Sequence, residues 1–122
     1  MIRIFKNNVI EALEALSSYA FQKTAWFEND RGLSYSYNEN ILDLFYDSQL
    51  DEALKASEAV FGKEADDALR DLEAASNKLD GDDHSDIILI DLPQMQMIRE
   101  KAARALALIK TSTGEGSTVE LL

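Results

Sequence analysis

The feature that most constrains the fold is a long amphipathic pattern between Leu92 and Lys110. Its apolar side chains recur every three or four residues, which places them on one side of an α-helix. They are Leu92, Met95, Ile98, Ala102, Leu106 and Ile109. Asp91, with Pro93 near the first helical position and Gln94 three residues on, is typical of a capped helix start. The pattern predicts a long C-terminal helix whose apolar side other segments must cover.

Shorter helical patterns upstream can provide that cover. They predict helices over about residues 6–28, from the capping box at Ser36 onwards, from Asp47 or Ser48 to Phe61, and over about 64–79. Gly62 is expected to end the third of these. The second is expected to turn Ile41, Leu42, Leu44 and Phe45 inward. We therefore predict an all-α fold, a single-domain bundle of about four to five helices with a long C-terminal helix.

The domain boundary is expected near the end of the last helix. A length of 122 residues suits one domain with one core. Residues 1–111 are predicted to form this single helical domain. The Gly-, Ser- and Thr-rich composition of 112–122 predicts a flexible C-terminal tail. The apolar run Ile87–Ile90 is compatible with a buried strand or with an early turn of the last helix.

The composition excludes several kinds of chemistry. The absence of cysteine excludes disulfides, thiol nucleophiles and thiolate-bound metals. His84 is the single histidine, so no site can use two, and no Gly-x-Ser-x-Gly motif is present. The N-terminus is too polar for a secretory signal, and charges interrupt the longest apolar stretch. We expect a cytoplasmic, non-enzymatic protein with no cofactor and no metal site.

The acidic charge is concentrated in one part of the chain. The net charge is −11, and residues 47–86 hold thirteen acidic and four basic side chains. Such a field repels nucleic acid and anionic membranes and attracts a basic partner. Two i, i+4 pairs, Asp51 with Lys55 and Asp66 with Arg70, are expected to neutralise part of it. The remaining carboxylates either keep the protein dispersed in water or bind a basic surface.

Aromatic residues are concentrated between positions 19 and 46. Trp26, Phe27 and Phe45 lie on apolar helix faces and are predicted to be buried in the core. Tyr35 and Tyr37 fall in a polar stretch that we interpret as a loop. Tyrosine is enriched at binding hot spots, so these two side chains are either interface anchors or simple loop packing.

The sequence resembles a class of binding proteins. The segments that carry the resemblance are Ala25-Trp26-Phe27-Glu28, Glu39, Leu44-Phe45-Tyr46-Asp47 and Leu50-Asp51. With one small domain, no cysteine and concentrated acid, they resemble the small acidic immunity proteins of bacteria, including those paired with contact-dependent growth-inhibition toxins. The resemblance implies inhibition of a basic toxin, commonly a nuclease, by occupation of its cleft. We expect the partner-binding surface to comprise Asp47, Asp51, Glu52, Glu58, Glu64, Asp67, Asp71, Tyr35 and Tyr37.

Two alternatives come from other functional classes. A helical, metal-dependent nucleotide hydrolase would need Glu11 and Glu14 to converge with Glu64 and Asp67 on a magnesium ion. A regulatory or adaptor bundle would instead use a stripe of Met95, Met97 and Ile98 to bind a partner helix or a second copy.

Overall fold

The computed structural model describes residues 2–27, 37–47, 49–56, 60–79, 90–111 and 118–121. The elements in chain order are β1 (Ile2–Phe5), α1 (Lys6–Ser17), α2 (Tyr19–Phe27), α3 (Tyr37–Ile41), a π-helical segment (Leu42–Asp47), α4 (Leu50–Lys55), α5 (Lys63–Lys78), α6 (Pro93–Thr111) and β2 (Thr118–Leu121). The predicted all-α class with a long C-terminal helix is confirmed. Across these described ranges, no helix combines the length and apolar character needed to cross a membrane.

The predicted stripe of α6 lies at the centre of the core. Helix α6 packs against α1 and α5, and Met95, Ile98 and Ala102 are at most 1% exposed. From α5, Leu69 and Leu72 are fully buried, and each contributes about 2 kcal/mol of hydrophobic stabilisation. The apolar side of the last helix is therefore covered by helices that come before it in the chain, as predicted.

The start of α6 differs from the predicted cap. Pro93 is the first helical residue, as expected. The Leu92 carbonyl accepts the first helical hydrogen bond, from the Gln96 amide at 3.2 Å. The Asp91 carboxylate instead accepts a hydrogen bond from the Tyr19 hydroxyl at 3.2 Å. Asp91 therefore connects α6 to α2 rather than capping α6.

The first predicted helix is interrupted at Ser18, and side chains satisfy the backbone groups at the interruption. The Ser18 hydroxyl accepts a hydrogen bond from the Phe21 amide at 3.1 Å and so caps α2. The Gln22 side chain is fully buried and donates to the Leu16 and Ala15 carbonyls at the end of α1. One continuous apolar pattern therefore folds as two helices, α1 and α2. Polar side chains at the interruption provide the hydrogen bonds that the helix ends lack.

The third predicted helix is shorter than its pattern indicates. Helix α4 ends at Lys55, and Val60 and Phe61 are buried outside any helix. Gly62, predicted to end that helix, instead precedes α5 with φ +112°, a conformation that favours glycine. Neither predicted cap is confirmed, because Gln49 occupies the N-cap position of α4 and Ser48 lies outside the described residues.

The segment after α3 is π-helical, which changes its buried face. Leu44 and Phe45 are fully buried and Ile41 is partly buried, as predicted. Leu42, also predicted to point inward, is 48% exposed. The π turn is wider than an α turn, so residues three apart do not keep a common side as they do in an α-helix.

A two-stranded antiparallel ribbon is the part of the fold that the helical prediction omits. Strand β1 pairs with β2, with Ile2 opposite Leu121 and Phe5 opposite Thr118. The prediction of a flexible tail over 112–122 did not anticipate strand β2. The structure does not describe residues 112–117, nor residues 87–89 of the apolar run that ends at Ile90. Ile90 itself is fully buried in a turn.

Candidate functional site

A cleft between α1 and the π-helical segment collects four carboxylates. Its volume is about 820 Å³, and its lining residues are Asn8, Glu11, Ala12, Glu14, Ala15, Ser18, Phe21, Asp43 and Asp47. Residues of α1 separated by three, four or seven positions form one wall. Asp43 and Asp47, four residues apart, form the facing wall. Among the described residues, this lining includes neither lysine nor arginine. We call this feature the acidic cleft.

Exposed apolar side chains accompany the acidic cleft. Phe21, which lines it, is 42% exposed. Leu42 and Tyr46, the chain neighbours of Asp43 and Asp47, are 48% and 45% exposed. An acidic surface with exposed aromatic rings suits a basic protein, because arginine stacks on aromatic faces and pairs with carboxylates.

A second groove is lined by three carboxylates of α5 that were expected in the partner-binding surface. They are Glu64, Asp67 and Asp71, which we call the α5 ridge. Met97, Glu100, Lys101 and Arg104 of α6 also line this groove. Here basic residues already neutralise two carboxylates. Asp67 pairs with Arg70 at 3.1 Å, and Asp71 pairs with Lys101 at 2.6 Å. The two ridge carboxylates are therefore less available to an external cation than the sequence suggested.

Helix α4 carries an acidic residue that interacts with a base and influences a second carboxyl group. Asp51 forms the predicted ion pair with Lys55, at 3.0 Å between Oδ2 and Nζ. Burial and interaction with Asp51 raise the pKa of Glu73 of α5 to about 7. Interactions with Glu73 and with Lys55 lower the pKa of Asp51.

The predicted partner-binding residues occupy several surfaces rather than one. Asp47 lines the acidic cleft, and Glu64, Asp67 and Asp71 line the second groove. Glu52 is exposed on α4, whereas Asp51 is partly buried. Glu58 and Tyr35 lie outside the described residues, as do the side chains of Trp26 and Phe27.

The sequence prediction missed most of the acidic cleft. Glu11, Glu14, Asp43 and Phe21 were not among the expected binding residues. The carboxylates at 43 and 47 share one side of a turn, and those at 11 and 14 are one helical turn apart. Both spacings can be read from the sequence. The packing of α1 against the π-helical segment, which brings the two pairs together, cannot.

Tyr37 is a correction to the predicted surface. It begins α3 instead of lying in a polar loop, and it is only 2% exposed. Its hydroxyl donates to the Ser76 carbonyl of α5 at 3.2 Å, and burial raises its pKa. A ring buried between helices cannot anchor a partner, so Tyr37 is a core residue.

We expect Tyr37→Phe to lower the free energy of unfolding by about 1 kcal/mol, because the Ser76 carbonyl loses a buried donor. Tyr46→Phe is the matched control, since that ring is 45% exposed and should change stability little. Urea denaturation followed by circular dichroism measures both. Equal stability of the two variants would contradict the importance of the buried hydroxyl.

The geometry does not assemble the site that the hydrolase alternative requires. Glu11 and Glu14 line the acidic cleft, whereas Glu64 and Asp67 line the second groove. Within the described ranges, no group of three or more His, Cys, Asp or Glu side chains is arranged to hold a metal ion. For the adaptor alternative, the proposed methionine stripe is mostly internal. Met95 and Ile98 are buried, and Met97 is 54% exposed.

A buried arginine connects α2 to the start of α6. The Arg99 guanidinium donates to the Gln22 side chain at 3.1 Å, to the Ile90 carbonyl at 3.0 Å, and to the Gln96 side chain. It also lies 5.0 Å from the centroid of the Tyr19 ring. Burial lowers the pKa of Arg99. This network therefore links α6 to α2, whose Phe21 lines the acidic cleft.

Comparison of the chain with protein-family models, with curated proteins and with solved structures found no match.

Proposed function

We propose that this protein is an immunity-type inhibitor that binds a cognate basic toxin, a nuclease, in the bacterial cytoplasm. The observation that supports the proposal is the acidic cleft, with four carboxylates and a half-exposed Phe21 in its lining. The carboxylates would meet basic groups that otherwise bind the phosphates of the nuclease's substrate. Binding there would exclude nucleic acid from the toxin without any catalytic step.

The charge of the whole chain supports rapid association with such a partner. A net charge of −11 on 122 residues creates a long-range field that steers a basic protein towards the acidic surface. Steered association is fast at low salt and falls steeply as ionic strength rises. Phe21 and Tyr46 would provide the apolar contacts that remain when salt screens the charges.

The acidic cleft is a better candidate for the contact surface than the α5 ridge. In the ridge, Asp67 and Asp71 already form ion pairs with Arg70 and Lys101. A partner that used these carboxylates would first have to displace the internal cations. Glu14 and Asp47 line a cleft whose described lining includes no lysine or arginine, so a basic partner would displace no cation of that lining.

The experiment uses the wild-type chain to isolate a partner from the source cells at low salt. The captured protein is identified, purified and assayed for nuclease activity with increasing amounts of the chain. We expect a basic nuclease that is fully inhibited at a one-to-one ratio. A captured protein whose activity the chain does not change, or the absence of a specific basic partner, would refute the proposed function.

Charge reversal locates the contact surface. We expect the double variant Glu14→Lys with Asp47→Lys to weaken binding about 100-fold, because like charges would then face the partner. Asp67→Lys with Asp71→Lys changes the net charge equally and is the matched control. Binding is measured by calorimetry at two salt concentrations. If the ridge variant lost more affinity than the cleft variant, the contact surface would be the α5 ridge.

A further inference from the structure

The groove between α5 and α6 differs from the acidic cleft in the balance of its charges. The three carboxylates of the α5 ridge form one side, and α6 contributes Lys101 and Arg104 together with Glu100. The described lining of the acidic cleft has four carboxylates and neither lysine nor arginine. A second copy of this acidic chain would therefore be repelled at the cleft, whereas at the groove it could place bases against acids.

An ion pair across the groove fixes the register of its two sides. The lining spans residues 64–71 of α5 and 97–104 of α6, about two turns of each helix, so the helices run side by side there. Asp71 Oδ2 lies 2.6 Å from Lys101 Nζ, which places these two residues at about the same height along the groove. The Asp71 side chain is 60% exposed and that of Lys101 is 27% exposed. Both charged groups can therefore still bind an opposite charge from outside the chain.

Two-fold symmetry makes this arrangement of charges complementary to itself. A two-fold axis that lies in the plane of contact and runs along the groove places α5 of each copy on α6 of the other. Such an axis preserves the height along the helices, so Asp71 of each copy meets Lys101 of the second copy. The two ion pairs then join into a cluster of two carboxylates and two ammonium groups. An isolated surface pair contributes little to stability, but several charges in a network contribute more.

Met97 provides an apolar contact for the same face. It lines the groove and is 54% exposed, the largest exposed fraction among the large apolar side chains that the structure describes. Methionine is flexible and adapts to the surface that it meets. Helix α5 has 16 residues, so it is about 24 Å long, and two adjacent helices are about 20 Å wide. A face of roughly 500 Å² per copy is at the lower end for specific interfaces and corresponds to a reversible dimer.

We propose that two copies of this chain associate through the groove, with the α5 ridge of each copy on Lys101 and Arg104 of the other. A second copy suits the groove better than a basic toxin, because these two basic residues would repel a basic surface. The lining of the groove shares no residue with the lining of the acidic cleft. The dimer is therefore independent of the proposed toxin and can be tested without it.

Analytical ultracentrifugation of the isolated full-length chain tests the dimer. The measurements use about 0.15 M salt, because screening over about 8 Å limits the overall repulsion between two chains that each carry a net charge of −11. Between about 5 μM and about 500 μM, we expect the mass to rise from 13.7 kDa towards twice that value. The monomer mass at every concentration would overturn the proposal.

Two charge reversals test the arrangement of α5 on α6. Asp71→Lys leaves two ammonium groups at the centre of the groove, and Lys101→Asp leaves two carboxylates there. Each variant alone should therefore dimerise about tenfold more weakly than the wild type, or less. In an equal mixture of the two, a copy with two bases meets a copy with two acids, and we expect the dimer to return.

Lys23→Asp is the matched control for Lys101→Asp, because Lys23 is exposed on α2, and this variant should dimerise like the wild type. Circular dichroism of each variant verifies that its helices are folded. Restoration of the dimer in the mixture supports the proposed pairing across the two-fold axis. Dimers that tolerate both reversals, or folded variants whose mixture stays monomeric, would overturn it.

Discussion

Asp66→Ala is expected to lower the free energy of unfolding by about 3 kcal/mol. Asp66 is 2% exposed, and its two carboxylate oxygens accept hydrogen bonds from the Val60 amide at 2.8 Å and the Phe61 amide at 2.9 Å. Alanine would leave both buried donors without an acceptor. The carboxylate also lies in the first turn of α5, where the helix dipole favours negative charge.

The neighbouring Asp67 provides a matched control for this prediction. Asp67→Ala removes the same atoms from the same helical turn, but Asp67 is exposed and forms only a surface ion pair with Arg70. Its expected cost is about 0.5 kcal/mol or less. Urea denaturation of the two variants measures the difference. If the two variants were equally stable, the Asp66 carboxylate would not stabilise the segment that precedes α5.

Asp66→Asn separates the charge from the hydrogen bonds. An amide has one acceptor oxygen, and its NH₂ group would face the second backbone donor. We expect this variant to be nearly as unstable as Asp66→Ala. A nearly wild-type stability would indicate that one hydrogen bond is sufficient to order Val60 and Phe61.

The role of Asp66 illustrates why its sequence pattern was misleading. The i, i+4 spacing predicted an ion pair between Asp66 and Arg70, but Arg70 pairs with Asp67 instead. Spacing identifies which side chains can meet on an exposed helix face. It does not show that Asp66 faces inward, because that depends on the backbone of Val60 and Phe61 folding over the start of α5.

The parts of the fold that were predicted depend on local burial patterns. Helices α5 and α6 have sustained apolar periodicity, so their bounds agree with the prediction within one or two residues. The division between α1 and α2 depends on Gln22, whose side chain satisfies carbonyls at the end of α1. The apolar pattern continues through that division, and periodicity alone therefore could not locate it.

The acidic cleft was not predicted because it is a property of two packed elements. Glu11 and Glu14 were considered as half of a metal site, and Asp47 was expected in a partner-binding surface with residues of α4 and α5. Their common cleft arises because α1 packs against the π-helical segment. A π-helical turn has no reliable sequence signal, so the orientation of Asp43 and Asp47 required the structure.

Arg99→Met is the second substitution with a large expected effect, a loss of about 2 to 4 kcal/mol in the free energy of unfolding. Methionine can fill much of the space but has no N–H donors, so it would leave the Ile90 carbonyl and the Gln22 side-chain oxygen without this donor. Arg99→Lys should recover part of the stability, since an ammonium keeps the charge but lacks the planar fork of donors. Arg104→Met on the exposed side of the same helix is the control and should cost about 0.5 kcal/mol or less.

The same substitution connects the buried network to the acidic cleft. Arg99 binds Gln22, and Gln22 is adjacent to Phe21, which lines the cleft. If the network positions α2, Arg99→Met should increase hydrogen exchange in α2 more than in α5, even where the protein remains folded. Arg99→Met could instead change exchange in α2 and α5 equally and be as stable as Arg104→Met. The buried guanidinium would then be dispensable. A selective change in α2 would instead identify Arg99 as a core residue that positions the helix carrying Phe21, which lines the cleft.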